Sequence, residues 1–180
     1  MKINLIKEIE IPEGIEVEIN GQEIFVKGNG LENKKKFDFG RINVQKKNNK
    51  IILDAKKATK REKKMMGTIA THIKNLFKGI KEKFVYKLEI CHLHFPMNVA
   101  VNEKEVIIKN FLGENKERKA KILPGVEVKM EGNILTVESH NKEAAGQTAA
   151  NIEKTTKIKN KDRRVFQDGI FITNKPGRKI

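Results

Sequence analysis

V-E-I-N-G-Q-E-I-F-V-K, residues 17–27, and V-A-V-N-E-K-E-V-I-I-K, residues 99–109, are two versions of one segment. Four of the eleven positions are identical: Val17/Val99, Asn20/Asn102, Glu23/Glu105 and Lys27/Lys109. Ile19/Val101, Ile24/Val106, Phe25/Ile107 and Val26/Ile108 keep an apolar side chain. Working outward, Ile42, Val44 and Ile51 to Leu53 correspond to Val126, Val128 and Leu135 to Val137, and Gly67, Ala70 and Ile73 to Gly146, Ala149 and Ile152. A period of about 80 residues is too long for a solenoid repeat and long enough for a small domain with its own core. The expected organisation is therefore a first repeat domain at 1–82 and a second at 83–180, the second ending in a basic C-terminal extension.

Within each copy, Ile15, Val17 and Ile19, then Ile24 and Val26, alternate as half-buried strands do, and Asn20-Gly21 between them suits a two-residue hairpin turn. The second copy has Asn102-Glu103 there. Ile42 and Val44 pair with Ile51 and Leu53 around Lys47 to Lys50, as Val126 to Met130 pairs with Ile134 to Val137 around Glu131-Gly132-Asn133. Met65, Met66, Ile69, Ala70, Ile73, Leu76, Phe77 and Ile80 then follow helical spacing, with Thr59 and Glu62 as a capping box and Gly79 as the expected stop. A second helix is expected from Asn141 to Lys157, with Ala145, Thr148, Ala149 and Ile152 inward. An extra apolar strand precedes each copy, at Ile3 to Ile11 and Phe84 to Phe95. The fold class is α+β: a tandem duplication of a small domain in which an antiparallel sheet packs on one helix.

The 38% apolar fraction suits a folded chain, and the single Cys91 excludes an intramolecular disulfide. No apolar run reaches membrane-span length and the charged start is unlike a signal peptide, so a soluble, cytoplasmic protein with no membrane partner is expected. The net charge of +15 is not spread evenly. Residues 46–64 and residues 154–180 each hold nine Lys/Arg against two acids, whereas residues 83–153 balance ten against ten. Charge concentrated this way points to a polyanion met along particular edges, nucleic acid first.

The extension, K-T-T-K-I-K-N-K-D-R-R-V-F-Q-D-G-I-F from residue 154, is the most function-like segment. Lys154, Lys157, Lys159, Lys161, Arg163 and Arg164 are placed to neutralise phosphates, the two arginines offering a fork that lysine lacks. Its Val-Phe and Ile-Phe-Ile clusters favour an ordered contact over a floppy terminus. Phe166 is expected to pack on the domain, with base stacking the less favoured role. Asp162 and Asp168 lie among bases and are expected to orient Arg or Lys rather than catalyse. Block 46–64 leaves direct contact and a solvated rim equally open.

Other chemistry is thin. His92 and His94 would share a face of a strand, but Cys91 points away and no third zinc ligand follows. Gly28-Asn29-Gly30 lacks the rest of any dinucleotide fingerprint and suits a strand-end turn. No nucleophile–base set can be assembled. No enzyme activity, cofactor, metal or small-molecule substrate is expected. An RNA-modifying or metal-dependent enzyme and a general nucleic-acid chaperone stand as the alternatives.

I-P-E-G-I-E-V at 11–17, H-F-P-M-N-V at 94–99, I-K-N-F-L-G-E at 108–114, L-P-G-V at 123–126 and, most specifically, K-N-K-D-R-R-V-F-Q-D-G-I-F-I at 159–172 carry a resemblance. Through them the chain resembles the large-subunit ribosomal proteins of the universal family numbered six, in the archaeal and eukaryotic type. The Pro-Tyr-Lys-Gly-Lys-Gly ending of the bacterial branch is absent. The resemblance implies two tandem copies of one α+β domain. It also implies binding to large-subunit ribosomal RNA, chiefly through the second domain and C-terminal segment. The implied site is close to the sarcin-ricin loop and the base of the factor-binding stalk, beside neighbouring ribosomal proteins. The implied contacts map onto Lys159, Lys161, Arg163 and Arg164, and the charge pattern adds Lys154 and Lys157. Lysine outnumbers arginine 32 to 6, which favours phosphate neutralisation over base reading.

Overall fold

The computed structural model describes residues 3–180. The chain forms two compact units, Met1–Glu82 and Lys83–Ile180. The first contains β1 (Ile3–Glu10), β2 (Glu16–Asn20), β3 (Glu23–Gly28), β4 (Leu31–Lys36), β5 (Asn43–Lys47), β6 (Lys50–Ala58) and α1 (Lys60–Lys81). The second contains β7 (Phe84–Cys91), β8 (Asn98–Val101), β9 (Glu105–Lys109), β10 (Arg118–Lys121), β11 (Glu127–Glu131), β12 (Ile134–Ser139), α2 (Lys142–Thr155), β13 (Gly169–Lys175) and β14 (Arg178–Lys179). No helix among the described residues is long and apolar enough to cross a membrane.

Each unit holds two antiparallel sheets rather than one. Unit one has β2-β3-β4 and β1-β6-β5, and unit two has β8-β9-β10 and β11-β12-β7-β13-β14. One helix packs against strands of both sheets in each unit. The repeated segment forms β2 and β3 in unit one and β8 and β9 in unit two, with β3 and β9 central in their three-stranded sheets. Ile24 and Val26 of β3, and Val106 and Ile108 of β9, are fully buried. The duplicated hairpins supply Ile51 and Leu53, or Leu135 and Val137, and the helices supply Ile73 and Ile80, or Ala149 and Ile152.

The first hairpin turn lies one residue beyond the expected Asn20-Gly21. Asn20 pairs with Glu23, so the loop is Gly21-Gln22 and Gly21 takes φ +59°. This register sets Val17 opposite Val26 and Ile19 opposite Ile24 and keeps both pairs on one face. The second hairpin is as expected, with Lys47 opposite Lys50 around Asn48-Asn49.

α1 opens on the capping box: the Arg61 N–H donates to the Thr59 hydroxyl, and the Thr59 N–H donates to the Glu62 carboxylate at 2.8 Å. Gly79 does not stop it. The helix runs to Lys81 with Gly79 buried inside it, because Ile80 extends the apolar face of Ile73 and Phe77 into the core. α2 is capped by Asn141, whose side chain accepts from the Glu143 and Ala144 N–H groups, and buries Ala145, Thr148, Ala149 and Ile152.

The extension is only partly a tail. β7 ends at Cys91, short of the expected Phe95, and β13 pairs along its other edge, with Ile170 opposite Ile90 and fully buried. The two copies therefore differ in topology: β1 ends its sheet, whereas its counterpart β7 is central.

Candidate nucleic-acid interface

Between α2 and β13 the chain runs irregularly from Lys157 to Asp168, and this segment holds most of the expected contact residues. Lys154 lies in the last turn of α2. It, Lys157, Lys159, Lys161, Arg163 and Arg164 are all exposed. Six cations over eleven residues repel one another, so something must hold the segment in place.

Asp168 does so. It is fully buried, yet among the described residues it pairs with no Arg or Lys, contrary to the expectation from its basic surroundings. Its carboxylate accepts hydrogen bonds from the backbone N–H of Leu93 at 3.1 Å and of His94 at 3.2 Å, and lies 2.9 Å from His94 Nδ1. Burial alone would raise this carboxyl, but the bonds from the His94 ring and the two N–H groups outweigh it and hold it below the ordinary aspartate range. With Asp168 ionised, Nδ1 carries the hydrogen and donates. The His94 ring then stacks on Phe166 with centroids 4.8 Å apart, and Lys161 Nζ sits 4.4 Å from the Phe166 centroid. Phe166 is thus a packing anchor, as expected, and its partners are His94 and a lysine.

Asp162 behaves as expected. It accepts from the Arg164 N–H at 2.9 Å and pairs with the Arg164 guanidinium, which keeps its own side chain 90% exposed. The same bonds, side chain first, hold Asp162 below its usual range. The Asp162 carbonyl also accepts from Phe166 N–H at 2.9 Å and closes the turn that presents Arg163 and Arg164. Arg163 and Lys157 line a cavity of about 720 Å³ whose walls include Ile158, Phe166, Phe171 and Gln167. The structure thus brings Lys157 and Arg163 together around one opening. Lys154 lies on the helix and outside that lining.

Three further features carried no usable sequence signal or went unread. The His94–Asp168 contact joins residues 74 apart in the chain. The β13–β14 hairpin, turning at Pro176-Gly177 with Gly177 at φ +81°, exposes Lys175, Arg178 and Lys179; the Pro-Gly pair was the available signal. Arg118 on β10 forks onto Glu114 at 2.6 and 2.8 Å, donates to the Thr155 carbonyl at 2.7 Å, and lies 4.3 Å over the Phe111 ring. It therefore holds the end of α2, from which the basic segment departs.

The histidine–metal arrangement does not form. His92 and His94 lie beyond the end of β7, His94 is committed to Asp168, and among the described residues no three His, Cys, Asp or Glu converge on a metal-sized site. Cys91 near this pair invites comparison with a Cys-His-Asp nucleophile. Burial, then Glu89 and Asp168, push its thiol up, the opposite of the electropositive setting a reactive cysteine needs.

Comparison with known proteins meets this geometry. The family model of ribosomal protein L6 matches residues 11–83 and matches again over residues 95–169. The chain belongs to the ribosomal protein L6 family. It is 45% identical over 172 residues to "Large ribosomal subunit protein uL6" of Methanococcus vannielii, covering 96% of this chain and 94% of that protein. The protein of the same name from Methanobrevibacter smithii is 44% identical over 169 residues, covering 94% and 95%. That from Methanosarcina mazei is 45% identical over 169 residues, covering 94% and 96%. These archaeal relatives agree with the archaeal type that the sequence resembles. The two L6 matches fall one on each copy, and the second includes every cation from Lys154 to Arg164.

Proposed function

We propose that this L6 family member is a structural constituent of the large ribosomal subunit that binds large-subunit ribosomal RNA mainly through unit two. The contact is made by Lys154, Lys157, Lys159, Lys161, Arg163 and Arg164. One observation carries it: a run of exposed cations is fixed in place by a buried carboxylate, so the charge is held ready instead of being ordered on binding. Its neighbours are other ribosomal proteins, its location the cytoplasmic ribosome, and it is not an enzyme. By family resemblance, its position is near the sarcin-ricin loop and the base of the factor-binding stalk. Recognition is chiefly of backbone charge and shape.

Six neutralised phosphates give a plot of log affinity against log salt with a slope of about −4 to −5. Arg163→Ala plus Arg164→Ala should reduce the steepness by between one and two and weaken binding to a large-subunit rRNA transcript, with both units still folded. Because Arg164 already pairs with Asp162, Arg163→Ala alone should account for most of the loss. A flat salt dependence, or unchanged binding by the double variant, would contradict this site. Equal competition by duplex DNA and unrelated RNA would favour a general chaperone instead.

A further inference from the structure

α1 carries far more positive charge than its fold needs. Along its 22 residues Lys60, Arg61, Lys63, Lys64, Lys74, Lys78 and Lys81 are all exposed, and Glu62 is the single acid. Glu62 is occupied by the capping box with Thr59. At 100° per residue, Lys60, Lys63, Lys64, Lys74, Lys78 and Lys81 fall within an arc of about 100°, opposite the buried Ile69, Ile73 and Ile80. The stripe is about 33 Å long at 1.5 Å per residue. Among the described residues none of these seven cations is in an ion pair.

Stability does not account for this arrangement. Lys60/Lys64 and Lys74/Lys78 are like charges at i,i+4, and Lys60, Arg61 and Lys63 stand at the positive pole of the helix. The duplication supplies a control within the same chain. α2 caps, packs and buries its corresponding face with Lys142 and Lys154 balanced by Glu143 and Glu153. A repeat helix of this fold therefore forms with no net charge, and the excess on α1 marks a surface made for something else.

We propose that the outer face of α1 is a second RNA-binding surface, contacting the phosphates of an RNA segment other than the one held by residues 154–164. A straight, acid-free row of flexible ammonium groups suits the repeating phosphates of a nucleic-acid backbone, whereas an acidic protein would present scattered carboxylates. Lys56 and Lys57, exposed at the end of β6, add two more cations just before the helix start.

The test is the triple variant Lys64→Gln/Lys74→Gln/Lys78→Gln, measured against a large-subunit rRNA transcript over a range of salt. The triple is made both in the otherwise unchanged chain and on the Arg163→Ala/Arg164→Ala background, so that the two contacts fail separately. In both, the steepness of the salt dependence should fall by about two to three, and affinity by on the order of tenfold to a hundredfold. Tm should hold or rise as i,i+4 repulsion is removed, and Lys142→Gln on α2 should leave the salt slope and RNA affinity unchanged. Unchanged slope and affinity in both backgrounds would overturn the proposal. So would unchanged RNA affinity combined with poor incorporation into large subunits, which would assign the face to a protein neighbour.

Discussion

Replacing Asp168 with alanine should loosen the basic segment. The change removes a fully buried carboxylate that accepts from two backbone N–H groups at 3.1 and 3.2 Å and from the His94 ring at 2.9 Å. Each orphaned donor costs about 1 kcal/mol, the low end of the range for a buried group, because Leu93 and His94 are exposed residues that water can reach. The net loss is therefore about 3 kcal/mol, or roughly 12–24 °C in the Tm of a small domain. Asp168→Asn keeps one acceptor oxygen and the shape, and should lose about half as much. The assay is thermal unfolding alongside limited trypsin digestion, with cleavage at Lys157 to Arg164 speeding up in the alanine variant. RNA affinity should fall with it, because binding must then order the segment. The folded-state carboxyl is depressed, so its stabilisation is present above the unfolded aspartate range. It is lost as pH falls through the lower folded value, which puts the acid weakening below about pH 4 in the wild type and removes it from the variant. Unchanged Tm and unchanged protease resistance in Asp168→Ala would refute the anchoring role.

Two other perturbations separate the copies. Gly67→Ala meets nothing within 4 Å and should stabilise α1 by about 0.5–1 kcal/mol, whereas the paired Gly146→Ala would set a Cβ 2.9 Å from Tyr86 Oη and should destabilise by about 1 kcal/mol. Chemical denaturation of both single variants checks the opposite signs. Arg118→Ala breaks the fork to Glu114, the bond to the Thr155 carbonyl and the contact with Phe111, and should cost about 2 kcal/mol with increased trypsin cleavage after Lys154. Retained stability would make that cluster incidental.

The framework was legible where one face of an element is buried. Period-two alternation identified Ile24/Val26, the repeat carried that reading to Val106/Ile108, and three-four spacing with Thr59 and Glu62 identified α1, because burial imposes those patterns. β4 and β10 escaped notice: L-E-N-K-K-K and R-K-A-K are edge strands, and β10 buries Ala120 alone. Gly79 misled because a local stop signal was overridden by Ile80 packing in the core. The cations of the site were visible as charge, but what holds them was not. Asp168 lies among lysines and arginines in sequence, and only the fold brings Leu93 and His94 to it. The swap of its expected partner reflects burial: a carboxylate with no access to solvent takes backbone donors at hand, while exposed Asp162 takes the arginine.

UV crosslinking of the protein within intact large ribosomal subunits tests the RNA contact most directly. Crosslinks to large-subunit rRNA should map to residues 154–164, Arg163 foremost, and those on α1 should reach a different RNA segment. An absence of RNA crosslinks anywhere in residues 154–164, with the protein present in the subunit, would contradict the site.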